Sequence, residues 1–148
     1  MLTEWRWKKF EELELKELYE IIRLRERVFV VEQSCAYLDC DGLDPQAWHL
    51  AGYKDGILAA YLRVLPKKLK YEEISFGRVV TSPEFRGLGY GKHLTKQALM
   101  NIRHTWGEDS IRISAQAYLE KFYASLGFQR QGNEYLEDGI PHIEMLRP

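Results

Sequence analysis

Two spacings of apolar residues alternate along this chain and divide it into strands and helices. Trp5 and Trp7 share one face of a period-two pattern, which predicts a short first strand over Thr3 to Lys8. From about Glu14 to Phe29 the period lengthens. Leu15, Leu18, Ile22 and Phe29 follow steps of three, four and seven, which places one apolar stripe on a helix. A loop-like stretch, Gln33 to Gln46, carries Asp39, Asp41, Gly42, Asp44 and Pro45. Strands are predicted over Trp48 to Tyr53 and Ile57 to Leu65, joined by Asp55-Gly56, a two-residue hairpin turn signal. Ile74 to Thr81 reads as another strand, ended by Ser82-Pro83.

After a glycine-rich turn, Leu94, Ala98, Leu99 and Ile102 mark a second helix, and Ile111 and Ile113 a short strand. Leu119, Phe122, Tyr123 and Leu126 stand at i, i+3, i+4 and i+7 of a third helix that Gly127 can terminate. Strands return around Phe128 to Gln131 and Ile140 to Leu146. The order β, α, a run of β, α, β, α, β implies an α+β chain, a mixed and mostly antiparallel sheet with helices packed on it. No repeat, low-complexity tract or linker interrupts the 148 residues, so one domain over 1–148 is expected.

Composition narrows the class. At 45% apolar and 29% charged residues the chain is too apolar for disorder. A net charge of −1 argues against a general nucleic-acid binder. The longest apolar run, Ile57 to Leu62, is far short of the roughly 20 residues that span a bilayer. Glu4, Arg6, Lys8 and Lys9 in the first ten residues do not make a secretory signal, so a cytoplasmic place is expected. Cys35 and Cys40 are the only cysteines; they are expected to stay reduced, and no metal-ligand spacing surrounds them. Asp39, Asp41 and Asp44 imitate a calcium loop only superficially, since Gly42 arrives two places early and position twelve is Leu50. No metal is expected.

The sharpest local feature is Arg86-Gly87-Leu88-Gly89-Tyr90-Gly91-Lys92, between a strand and a helix. Alternate glycines let the backbone turn tightly and approach a ligand, and successive amides at a helix start suit a phosphate. Arg86 and Lys92 would add full charges. A Walker loop fails here, because the first glycine position holds Arg86 and the residue after Lys92 is His93. The dinucleotide fingerprint fails too, with Lys92 where a glycine is required. A plain tight connection is the alternative reading of the glycines.

The segment Val79-Val80-Thr81-Ser82-Pro83-Glu84-Phe85-Arg86-Gly87-Leu88-Gly89-Tyr90-Gly91 resembles motif A of the GCN5-related N-acetyltransferases (GNAT), Arg/Gln-x-x-Gly-x-Gly/Ala, filled by Arg86, Gly89 and Gly91. Leu119 to Phe128 resembles motif B, Tyr-x-x-x-Gly-Phe. Val28 to Gln33, Asp39 to Asp44, Ala115 to Ala117 and Glu137 to His142 are similar to the ElaA-like subgroup, so the resemblance spans nearly the whole chain.

The resemblance implies an acyl-CoA N-acyltransferase fold with a splayed pair of parallel strands. It implies acetyl-CoA as co-substrate, the backbone of Val79, Val80 and Thr81 along the pantetheine arm, and the amides of Arg86, Gly87, Leu88, Gly89, Tyr90, Gly91 and Lys92 on the pyrophosphate. Tyr123 takes the family's general-acid place, protonating the leaving thiolate; packing on its own helix is the plainer alternative. Gln116 stands where many members have Asn. A homodimer is implied only by the habit of the family.

The acceptor is expected to be a primary amine, small or peptidic. Glu32 to Asp44 and Glu134 to Glu144 each carry four acids and no Lys or Arg, while Glu84 to His104 nets +3. The total of −1 thus conceals a basic turn for coenzyme A and, as an expectation, an acidic rim for a cationic amine; solvated loops are the alternative. His49 and His142 are possible proton relays. A different class, a non-catalytic acyl-CoA-binding or sensing protein, shares the same motifs. An acyl-transferring synthase of signalling molecules would further need an acyl tunnel.

Overall fold

A computed structural model describes residue 2 and residues 4–148. The strands are β1 (Glu4–Lys9), β2 (Trp48–Lys54), β3 (Ile57–Leu65), β4 (Ser75–Thr81), β5 (Ile111–Gln116), β6 (Gln129–Glu137) and β7 (Ile140–Arg147). The helices are α1 (Leu15–Arg25), α2 (Tyr90–Trp106) and α3 (Glu120–Ala124). Thr3, the expected start of β1, lies outside the described residues. The hairpin turn signalled by Asp55-Gly56 has positive φ at both central residues, 50° and 78°, and so does the unsignalled β6–β7 turn, 53° and 77° at Asp138 and Gly139. That geometry matches the right-handed twist of the flanking strands. Gly127, at φ 93°, follows the end of α3, and β6 runs eight residues beyond Gln129 because Gly132, at φ 86°, supplies a bulge rather than a stop.

The strands form two antiparallel sheets, ordered β1-β2-β3-β4 and β5-β7-β6. Among the described residues one parallel bridge, Ile74 with Ile111, connects them, and the Arg112 N–H donates to the Ile74 carbonyl at 2.9 Å. Beyond that rung β4 and β5 diverge. The sheets are held together by a shared apolar core in which Ile74 and Phe76 meet Ile111, Ile113, Ile143 and Met145, with Leu94, Ala98 and Ile102 of α2 against them. On the other face of the first sheet Ile21, Leu24 and Val28 pack on Ala51, Tyr53, Tyr61 and Val80. With helices on both sides, β3 is buried from Leu58 to Leu65, which explains its unbroken apolar run. Among the described residues no helix is long and apolar enough to cross a membrane.

The inner face of α1 differs from the expected stripe. Leu15 is 88% exposed, while Glu17, Ile21, Leu24, Arg25 and Val28 are buried. Two of those five are charged, so the apolar pattern points one position away from the true face. Glu17 is usable inside because it accepts from the Glu14 amide at 2.9 Å, Arg6 at 2.9 Å and Lys8 at 2.8 Å. Past Arg25 the helix widens into π-helical turns over Glu26–Glu32.

Candidate active site

The divergence of β4 and β5 opens a cleft of about 580 Å³. Val79, Val80, Thr81, Arg86, Gly91, Gln116 and Tyr123 line it, together with Phe29, Tyr37, Glu137 and His142. Gly87, Leu88, Gly89, Tyr90 and Lys92 do not line it; they form the turn into α2 and its first residues. Gly87 and Gly89 sit at φ 80° and 79°, where a side chain is strained, whereas Gly91 is an ordinary helical residue. The first intrahelical bond runs from His93 N–H to Gly89 O at 3.2 Å, so the amides of Gly91 and Lys92 have no carbonyl four residues back. Tyr90 is buried against Phe85, leaving its backbone as the part a ligand can reach.

β4 carries a bulge at the cleft. Tyr61 opposes Val80 and Arg63 opposes Gly77, so Arg78 and Val79 together face Leu62, and Arg78 takes φ 52°. The bulge re-aims the β4 backbone beside the cleft. Its side chain is pinned from outside: Arg78 Nε lies 2.8 Å from Asp39 Oδ1, and Arg78 Nη2 donates to the Asp39 carbonyl at 3.1 Å.

The acidic stretch from Glu32 to Asp44 is therefore not an amine-attracting rim. Every carboxylate in it is paired with arginine. Arg25, 1% exposed, bonds Asp39 at 2.7 Å and Asp44 at 2.7 Å. Arg63 bonds Asp41 and Asp44, and Glu32 meets Arg86 at 2.7 Å. Arg86 thus spends its charge on Glu32 instead of standing free at the glycine turn. His49 is no relay for the cleft either: it is 1% exposed, shares a 2.7 Å hydrogen bond with the Tyr61 hydroxyl and lies 3.0 Å from the Asp44 carbonyl.

These groups make the fold acid-sensitive. Burial alone would raise the Asp41 and Asp44 carboxyls, but the hydrogen bonds and charges of Arg63 and Arg25 outweigh it and hold both below their ordinary 3.8. Burial pushes His49 below its ordinary 6.5, against the opposing effect of the Asp44 carbonyl. All three bind protons more readily when unfolded, so each contributes stability that is lost as pH falls. The urea midpoint is expected to decline between pH 7 and pH 5 as unfolded His49 protonates, and more steeply below about pH 4. A midpoint flat from pH 7 to pH 3 would contradict this.

On the opposite wall stands Tyr123, 4% exposed, its ring among Phe76, Phe122 and Phe128 at centroid distances of 6.2, 5.1 and 5.7 Å. Burial, with a smaller effect from Tyr118, pushes its phenol further above an ordinary value at which it is already protonated at neutral pH.

A sheet split between two parallel strands, with a glycine turn leading to a helix after one of them, is the arrangement that the resemblance to GNAT implies. The chain belongs to that family: residues 27–147 match the Acetyltransferase (GNAT) domain. Within it, the chain is 40% identical to protein ElaA of Escherichia coli K12 over 148 residues, covering 99% of this chain and 97% of that protein. A crystal structure of an acyl-CoA N-acyltransferase from Pseudomonas aeruginosa superposes with TM-score 0.94 at 43% identity, covering 98% of this chain and 99% of the other. A structure of an aminoglycoside 6′-N-acetyltransferase complexed with coenzyme A shares the fold alone, at TM-score 0.68 and 14% identity over 95% of each chain.

Proposed function

We propose that the protein is an acetyl-CoA-dependent N-acetyltransferase acting on a primary amine by direct attack within a ternary complex. The observation that carries this is the splay itself. After the Ile74–Ile111 rung, the facing edges of β4 and β5 carry no further ladder to each other, beside the amides that begin α2. An extended chain with amide groups, such as a pantetheine arm, can add to the β4 edge at Val79, Val80 and Thr81. The α2 turn from Gly87 to Lys92 offers amide donors and dipole charge to a pyrophosphate, while the expected Arg86 amide is taken by the Pro83 carbonyl at 3.4 Å. Gln116, at the end of β5, can reach the arm from the other side. The backbone re-aimed by the bulge supplies donors where negative charge grows on the thioester oxygen. Tyr123 donates its phenolic proton to the departing thiolate.

Incubating the full chain with acetyl-CoA and a broad panel of primary amines, and measuring free coenzyme A above the fixed background of Cys35 and Cys40, tests the reading. Amine-dependent release is expected. Tight coenzyme A binding with no turnover on any amine would favour a non-catalytic sensor instead.

Gly89→Val is expected to weaken coenzyme A binding at least tenfold by calorimetry. Its Cβ would meet no atom within 4 Å, so the damage comes from φ 79° and not from a clash in the core. A folded variant with unchanged affinity removes the phosphate role of the turn.

A further inference from the structure

Attack on a thioester requires a neutral amine, and nothing assigned so far removes its proton. The cleft contains a pair of groups arranged for that purpose on the polar face of the second sheet. Gln116, His142 and Tyr135 are direct cross-strand neighbours, so they share one face, opposite the buried Ile113, Ile143 and Met145. His142 lines the cleft with its side chain 9% exposed.

The tautomer of His142 follows from its contacts. Nδ1 lies 2.7 Å from the Ile140 carbonyl, which can only accept, so Nδ1 carries the proton. In the neutral ring Nε2 is then a lone pair. It faces Glu137 Oε2 at 3.4 Å, itself an acceptor. Glu137 is held in place through its other oxygen, because Ser114 Oγ donates to Oε1 at 3.2 Å while sharing a hydrogen bond with the Tyr135 hydroxyl. The buried ring nitrogen and the half-exposed Glu137 oxygen are therefore two acceptors that face each other with no proton between them. Such an arrangement is satisfied by a donor bearing several N–H groups and a positive charge, or by protonation of the ring.

We propose that Glu137 and His142 form the acceptor subsite, binding a primary alkylammonium, with His142 Nε2 as the general base; this rests on the acyl-transfer reading above. Glu137 attracts the ammonium, and Nε2 takes one proton from it to give the neutral amine and an imidazolium whose Nε2–H faces Glu137 Oε2. The nitrogen lone pair forms the C–N bond at the thioester carbon as the carbonyl π pair moves to oxygen. Collapse breaks the C–S bond. The nitrogen loses a second proton, and the sulfur gains one from Tyr123, which is reprotonated. Of the two protons lost by nitrogen, one ends on coenzyme A and one passes from His142 to solvent.

His142→Asn tests this, because the Asn amide keeps an N–H near the Nδ1 position and removes Nε2. Three alkylammonium probes (spermidine, lysine amide and phenethylamine) are compared with hydroxylamine, which is already neutral at pH 7 and needs no base. Transfer to the wild type's preferred alkylammonium is expected to fall roughly 100-fold or more in the variant. Transfer to hydroxylamine, above its uncatalysed background, is expected to fall less than tenfold. Glu137→Gln should raise KM for the alkylammonium and leave KM for hydroxylamine within about twofold. Nitrogen-15 NMR of the free wild-type protein should show the Nδ1–H tautomer at His142.

Equal losses with both nucleophiles in a folded variant, no loss with either, or an Nε2–H tautomer would each overturn the proposal. A wild type that acetylates hydroxylamine but none of the three ammonium probes overturns the subsite while leaving acyl transfer standing. No turnover with any of the four removes the acyl-transfer reading and the subsite with it.

Discussion

Replacing Arg25 by methionine is expected to destabilise the protein by about 3–5 kcal/mol, a fall in melting temperature of about 10 °C or more. Arg25 is buried at the end of α1 and joins Asp39 and Asp44 across 14 and 19 residues of chain. Methionine fills much of the volume but leaves two largely buried carboxylates short of their counter-charge. Arg63 still reaches Asp44 at 3.0 Å and Arg78 still reaches Asp39, so the loss is partial and the fold survives in the cold. Arg103→Ala is the control. Its ion pair with Glu108 is 74% exposed on both sides, and its removal should leave the melting temperature almost unchanged. Thermal scans at pH 7 distinguish the cases; an Arg25→Met shift no larger than that of Arg103→Ala would show the network to be dispensable.

Tyr123→Phe is expected to lower kcat by about 10²–10⁴ while coenzyme A affinity and melting temperature change little. The ring's contacts with Phe76, Phe122 and Phe128 are kept, and what disappears is the phenolic hydroxyl. Steady-state kinetics beside calorimetry separates an acid from a packing residue. A variant with wild-type kcat returns Tyr123 to the core and leaves thiolate protonation to solvent.

Local signals carried much of the fold. Asp55-Gly56, the glycine turn before α2 and Gly127 after α3 each impose a backbone geometry on their own neighbours, so they are readable without tertiary knowledge. The face of α1 was not, because Glu17 and Arg25 occupy inward positions that polarity alone assigns to solvent. The acidic stretch reads as an open rim for a related reason. Its partners Arg25, Arg63 and Arg78 come from a helix before it and two strands after it, 14 to 39 residues away, and only folding brings them to Asp39, Asp41 and Asp44. The β4 bulge gives no signal either, since Arg78 is not a residue type that favours φ 52°. The apposition of Glu137 and His142 depends on the β6–β7 register, which is shifted between Gln131 and Tyr135. A sequence shows both residues but not that they meet.

The lone rung between Ile74 and Ile111 has a mechanical meaning. Hydrogen-bonded ladders fix a register and an angle, whereas apolar packing fixes mainly a distance. The first sheet, with α1 and the stretch from Asp39 to Asp44 bolted to its bulged edge by arginines, behaves as an anvil. The second sheet rests on it mainly through methyl groups and rings, with the ion pair of Arg112 and Glu73 at 3.0 Å beside the rung. A small rotation of one against the other would load that rung and the Arg112–Glu73 pair and leave the ladders within each sheet intact.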